Sequence, residues 1–176
     1  MLDSDPIKTA APPGVSLRRI TPGDLPFLAE VYASTRREEL AHVPWTDDQK
    51  ADFLRWQFDQ QHAYYQQYYP NCEFLVIEGV EQASAGFTGA IGRLYVDRWP
   101  DQIRLVDIAL LPQYRGAGVG GALLRSILDE GRASGLDVTI HVEANNPAMT
   151  LYLRLGFRHV DSNGVYHLMR WTPEPL

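Results

Sequence analysis

Four glycines, Gly116, Gly118, Gly120 and Gly121, fall within the stretch Leu110 to Leu124 (LLPQYRGAGVGGALL), and no other feature constrains the fold as tightly. An apolar run precedes the cluster and a helical pattern follows it. Glycine has no Cβ, so glycines packed between a strand and a helix let consecutive backbone N–H groups approach an anion, which the helix dipole also favours. The stretch therefore reads as a strand–loop–helix unit built around a phosphate compound.

The rest of the chain bounds what that unit belongs to. With 176 residues, 45% of them hydrophobic, one domain with its own core is expected. Residues 1–14 carry Pro6, Pro12, Pro13 and Gly14 and are expected to be a flexible lead-in to a single domain over 15–176. Cys72 is the only cysteine, which rules out an intrachain disulfide, and no histidine is placed to make it a nucleophile. The start, MLDSDPIKTAAPP, lacks the basic flank and apolar stretch of a secretory signal, so a cytoplasmic setting is expected. No apolar run is long enough for a bilayer, and no membrane partner is expected. A net charge of −6 argues against nucleic acid and mildly favours cationic small molecules. His42, His62, His159 and His167 are scattered without ligand spacing, and no metal is expected.

Along the chain, Val15 to Ile20 predicts a strand, and Asp24 opens a helix to roughly Glu39. From Thr46 to Pro70 nothing breaks a long helix with Asp47 and Asp48 in its first turn. Its aromatic residues form two stripes, Phe53/Trp56/Tyr64/Tyr68 and Leu54/Phe58/Tyr65/Tyr69, wider than a core-facing helix needs. Three strands follow in CEFLVIEG, FTGAIGRLYVDR and QIRLVDIALL. Then come a helix over 116–132, with Val119, Leu123, Ser126, Ile127 and Glu130 along one side, a strand over 137–143, and a short helix over 147–155. Two last strands flank the Ser162-Asn-Gly164 turn. An antiparallel first half thus leads into a β-α-β-α-β-β second half with mixed strand directions.

Glycines 116, 118 and 121 formally satisfy G-x-G-x-x-G, but the context of a dinucleotide site is missing. Pro112 to Arg115 separates the strand from the first glycine, and Asp137 begins the next strand instead of ending it. A triphosphate loop fails because Gly121-Ala122 stands where Lys and Ser or Thr are required. What remains is a strand ending in Pro112, then Arg115-x-x-Gly118-x-Gly120 opening a helix. This resembles the pyrophosphate loop of the GNAT superfamily of N-acetyltransferases. About thirty residues on, Asn145 to Phe157 (NNPAMTLYLRLGF) is similar to the same superfamily's Asn-x-x-Ala-x-x-Leu-Tyr-x-x-x-Gly-Phe motif. The resemblance covers roughly residues 87–171, with a first strand and helix in VSLRRITPGDLPFLAEVY; residues 40–70 match no general family pattern.

The resemblance implies an α/β (α+β) fold with a mixed, centrally splayed sheet of about seven strands and helices on both faces. It implies direct transfer of an acetyl group from acetyl-CoA to a primary amine in a ternary complex. A non-catalytic CoA-binding or sensor module on the same fold is the alternative. By the family's pattern the diphosphate falls to Arg115, Gly116, Ala117, Gly118, Val119 and Gly120. The pantetheine arm and thioester carbonyl fall to backbone groups of Ala109, Leu110 and Leu111, where the strand diverges at a bulge. Asn145 or Asn146 contacts the arm, with Asn146 favoured, and helix capping is the alternative role for either.

Tyr152 stands where the family places the acid that protonates the departing thiolate. For the base, His141 aligns with a glutamate used by some members, and its imidazole has a suitable pKa. Asp107, read as sharing a strand side with Leu105 and Ala109, is a carboxylate among apolar neighbours and a second candidate. Glu143 is a third, and a water chain a fourth. Arg104 stands where histone-type members carry their glutamate, so that assignment does not transfer. Trp56, Gln57, Gln60 and Tyr64 are candidates to shape a pocket for an aromatic or cationic amine, with core packing the alternative role for most of those rings, and a small-molecule or peptide amine is the expected partner. The choice of acceptor, acetyl against a longer acyl donor, and monomer against homodimer stay open, though dimers are frequent among the proteins it resembles.

Overall fold

The computed structural model describes residues 5–80 and 89–175. Seven strands, β1 (Val15–Arg19), β2 (Glu73–Gly79), β3 (Gly89–Arg98), β4 (Gln102–Leu110), β5 (Asp137–Glu143), β6 (Arg158–Asn163) and β7 (Tyr166–Trp171), form one sheet. Its order is β1-β2-β3-β4-β5-β7-β6. Among the described residues, only β4 and β5 pair in parallel. Residues 81–88, including Phe87 and Thr88 of the expected third strand, lie outside the described residues.

Helices cover both faces, as the sequence implied. On one side lie α1 (Leu25–Arg36) and α2 (Asp47–Tyr68). The capping box of Thr46 with Gln49 starts α2, each side chain accepting from the other residue's N–H, and the helix stops before Pro70. Leu54 and Phe58 pack against Leu28 and Tyr32 of α1. On the other side α3 (Val119–Ser134) buries Leu123, Leu124, Ile127 and Leu128 against Leu75, Leu94, Leu105 and Ile140. This stripe lies slightly around the helix from the expected one, and Glu130 is free to pair with Arg98. The helix starts at Val119 because Gly116 and Gly118 take φ of +79° and +86°, left-handed values that no helix turn contains. The short α4 (Met149–Arg154) runs from β5 toward β6.

The expectation of a flexible lead-in needs correction at residues 7–9. Ile7 packs on the main core. The Lys8 N–H donates to Glu73 Oε1 at 2.6 Å, and Thr9 Oγ1 donates to Glu73 Oε2 at 2.9 Å. Arg98 donates to both Thr9 Oγ1 and Glu73 Oε2. Buried carboxylates need partners, and here the N-terminal segment supplies them.

Two features of β4 shape the site. It pairs with β5 only from Gln102 to Leu105, opposite Asp137 to Ile140, and beyond that the strands part. The register against β3 also slips by one, from Val96↔Leu105 to Tyr95↔Asp107, so Val106 is a bulge. A bulge reverses side-chain parity. Asp107 therefore shares a face with Tyr95 and Ala109, toward α1 and α2, and not with Leu105, which faces α3. The sequence reading placed Asp107 and Leu105 together because it counted an unbroken strand.

Candidate functional site

The splay between β4 and β5 opens beside the N-terminus of α3, and the glycine loop lines its edge. A Cβ built at Gly116, Gly118 or Gly120 meets no other protein atom within 4 Å. Packing inside the chain therefore does not explain these glycines. Positive φ requires the first two, but Gly120 has no such requirement, so its smallness leaves room for something outside the chain. The amides of Val119, Gly120 and Gly121 begin a helix and have no intrahelical acceptor. Together these give a cradle of N–H donors with the shape and polarity for a diphosphate, and coenzyme A fits it. Arg115 frames the cradle, donating through Nε to Leu110 O at 2.9 Å and through Nη2 to Ser34 Oγ at 3.3 Å.

On β4 the expected backbone donors divide. The Leu111 N–H donates to Ile91 O at 2.9 Å, so it is spent on β3. Alternation along an antiparallel ladder turns Ala109 the same way and leaves Leu110, with Ile108, facing the gap. Close approach of β3 to β4 here depends on Gly92, where a Cβ would come within 2.4 Å of Ala109 O.

Tyr152 on α4 is buried beside Phe157. Burial, and then the Asp107 carboxylate, push its phenol above its usual pKa, so it holds its proton at neutral pH and lies within electrostatic reach of Asp107. Asn146 Oδ1 accepts from the Ala148 N–H at 2.8 Å, a local turn just ahead of α4, whose N-cap is Ala148 and has no side-chain cap. Its amide nitrogen stays available as a donor. Asn145 is exposed.

The three candidate bases have different neighbours. Arg104 Nη1 lies 3.0 Å from His141 Nδ1. A guanidinium only donates, so Nδ1 accepts and Nε2 carries the proton. Burial and then Arg104 push the imidazole below its usual pKa. Glu143 binds Arg36, which holds its carboxyl below the usual carboxylate range, and Tyr166 OH donates to it at 3.4 Å. The unprotonated nitrogen of His141 is thus engaged, whereas both contacts to Glu143 fall on Oε1. Asp107 is held in the same one-sided way, but by a buried arginine of the neighbouring strand. Arg93 Nη2 donates to its Oδ2 at 2.6 Å and Tyr65 OH to the same oxygen at 3.5 Å, while Oδ1 has no partner among the described residues.

Sequence reasoning missed this Arg93–Asp107 pair and the α2 side chains around it. Gln61 Oε1 accepts from Arg93 Nη2 at 2.9 Å. Tyr65 packs edge-on against Tyr95, their ring centroids 6.0 Å apart. A signal was present, since Arg93 interrupts an apolar strand just as Asp107 does. The acceptor side of α2 needs correction as well. Trp56, Gln60 and Tyr64 are exposed, and the stripe turned inward is Gln57, Gln61 and Tyr65.

Comparison with known proteins agrees with this geometry. Residues 30–157 match the acetyltransferase (GNAT) family. The ribosomal-protein alanine N-acetyltransferase of Haemophilus influenzae is 34% identical over 68 residues, 38% of this chain and 47% of that protein. N-acetyltransferase 8B of Rattus norvegicus is 36% identical over 90 residues, 48% of this chain and 39% of that protein. The chain thus spans under half the length of either relative. Among solved structures, the PaiA N-acetyltransferase of Thermoplasma acidophilum in complex with coenzyme A superposes with a TM-score of 0.63 at 18% identity, covering 90% of this chain and 98% of that one. The ribosomal-protein alanine N-acetyltransferase of Escherichia coli gives 0.56 at 20% identity, covering 92% and 96%. These structural likenesses carry the fold alone. The family match covers most of the sequence, and the chain belongs to the GNAT family of acetyltransferases.

Proposed function

We propose that this chain is an acetyl-CoA-dependent N-acetyltransferase that passes the acetyl group directly to a primary amine in a ternary complex. The observation that carries the proposal is the open glycine cradle at 116, 118 and 120, set beside a strand gap that Tyr152 and Asp107 border. Amides from Arg115 to Gly120 would hold the diphosphate, each charge-assisted bond worth roughly 1.5 to 3 kcal/mol. Backbone groups of Leu110 and Ile108, with the Asn146 amide, would hold the arm. Bound there, acetyl-CoA supplies an activated thioester carbonyl.

The chain's own groups handle charge and protons. An N–H of β4 facing the gap stabilises negative charge growing on the carbonyl oxygen, a contribution of about 3 kcal/mol or more where comparable donors are removed. Asp107 Oδ1 takes the proton that the attacking amine must lose. Tyr152 donates a hydrogen bond to the departing sulfur. Its raised pKa keeps it protonated and makes complete proton release costly, so it acts as a donor that stabilises the thiolate. One relative acts on a ribosomal-protein alanine, which supports an amine presented by a peptide as one acceptor class.

The test is thiol release from acetyl-CoA with pooled small amines and peptides. Turnover with at least one acceptor, lowered by Tyr152→Phe without loss of CoA affinity, is expected. Tight CoA binding with no turnover on any acceptor would favour the non-catalytic sensor.

A further inference from the structure

The Arg93–Asp107 pair is expensive to build. Arg93 is 3% exposed, and its Nε is buried without a partner among the described residues. The nearby His62 Nδ1 is buried and unpaired too, and the charge of Arg93 helps to push His62 below its usual pKa, after burial. Buried ion pairs are often no more stabilising than apolar residues of the same shape, and unsatisfied donors add to the cost. Stability alone does not account for the arrangement.

The geometry points to Arg93 as a positioning residue for acyl transfer, acting through Asp107; this rests on the transferase reading above. Its Nη2 holds Asp107 Oδ2 at 2.6 Å and Gln61 Oε1 at 2.9 Å, which ties strand β4 to helix α2 through one nitrogen. Tyr65 OH approaches that same Oδ2. Every contact falls on one carboxylate oxygen and leaves Oδ1 for the acceptor's proton. Without the guanidinium, nothing would tie Oδ2 to both β3 and α2 and the carboxylate would be free to rotate. The charged and titratable groups facing Asp107 are Arg93 and Tyr95 from β3, Tyr65 from α2 and Tyr152 from α4, while His62 of α2 faces Arg93. Arg93 is the only permanent cation among them. Gln61 and Tyr65 both lie on α2, so that helix supplies the remaining contacts to the pair.

The experiment compares wild type, Arg93→Met and Arg93→Lys by kcat and KM for a working acceptor and by CoA affinity in calorimetry. Arg93→Met should lower kcat by about tenfold or more with KM for acetyl-CoA and CoA affinity unchanged, the split expected of a residue that acts on the base and not on the cofactor. Arg93→Lys should also lower kcat with CoA affinity unchanged, because it restores the charge without the contact to both Asp107 and Gln61. If Arg93→Met does not fold, an Arg93→Lys enzyme with wild-type kcat overturns the inference. An active wild type whose Met variant keeps the wild-type kcat also overturns it, and spares the transferase reading. A wild type inactive on every acceptor overturns both.

Discussion

Gly120→Glu separates the chain's use of the glycine loop from its need to fold. Gly118 is a poorer target, because any side chain there must adopt φ near +86° and pay for strain. Gly120 has no positive φ, and a Cβ finds open space. A side chain at this second position of α3 should cost the fold nothing. Replacing glycine in a helix gains up to about 1 kcal/mol, and a carboxylate in the first turn adds about 0.3 to 1 kcal/mol through the dipole. Binding changes in the opposite direction. A carboxylate about 5 Å from a phosphate charge repels it by about 0.8 to 3 kcal/mol for an effective dielectric between 80 and 20. Two phosphate charges make that about 1.6 to 6 kcal/mol, or roughly a 15-fold to 10⁴-fold loss of affinity. Calorimetric titration with CoA, paired with thermal unfolding, reads both signs. Gly120→Ala separates bulk from charge and should lose less. A Gly120→Glu protein that is at least as stable as wild type and binds CoA with unchanged affinity would refute the assignment of this loop.

Other consequences follow from the same geometry. Gly92→Ala should lower the melting temperature by several degrees, since its Cβ would meet Ala109 O at 2.4 Å and overpacking costs about 1 to 3 kcal/mol; an unchanged melt would mean that β3 and β4 separate freely. Asp24 is held well below the usual carboxylate range by Arg18, which donates two hydrogen bonds at 2.8 Å, with burial opposing and Thr21 helping. A depressed folded pKa stabilises above the unfolded value and loses that stability as pH falls, so Asp24→Asn should cost about 1 to 3 kcal/mol at pH 7 and progressively less below about pH 4 in parallel denaturation curves. His141→Ala should keep most of its turnover, because Arg104 occupies Nδ1; a loss of about 10²-fold or more would restore the imidazole as base.

The two motifs were legible because each encodes a local backbone requirement in consecutive residues. Gly116 and Gly118 need left-handed φ, Thr46 with Gln49 starts a helix, and Pro70 cannot continue one. The flexible lead-in was misjudged at residues 7–9 because Glu73 and Arg98, which hold Thr9, lie 64 and 89 residues away. The acceptor face of α2 was misjudged because a helix with two aromatic stripes does not say which one its neighbours cover.

From its sequence alone, this protein's family, the mixed sheet with helices on both faces and the glycine loop that opens a helix follow, since short-range glycine, proline and capping chemistry acts before the chain packs. Tertiary structure alone decided how each candidate base is held. The bulge at Val106 turned Asp107 to the α2 face, Arg93 met it across 14 residues and Tyr65 across 42, and Arg104 and Arg36 engaged His141 and Glu143. Strand register and charge pairing across a sheet depend on which segments meet, and no window of neighbouring residues contains that information.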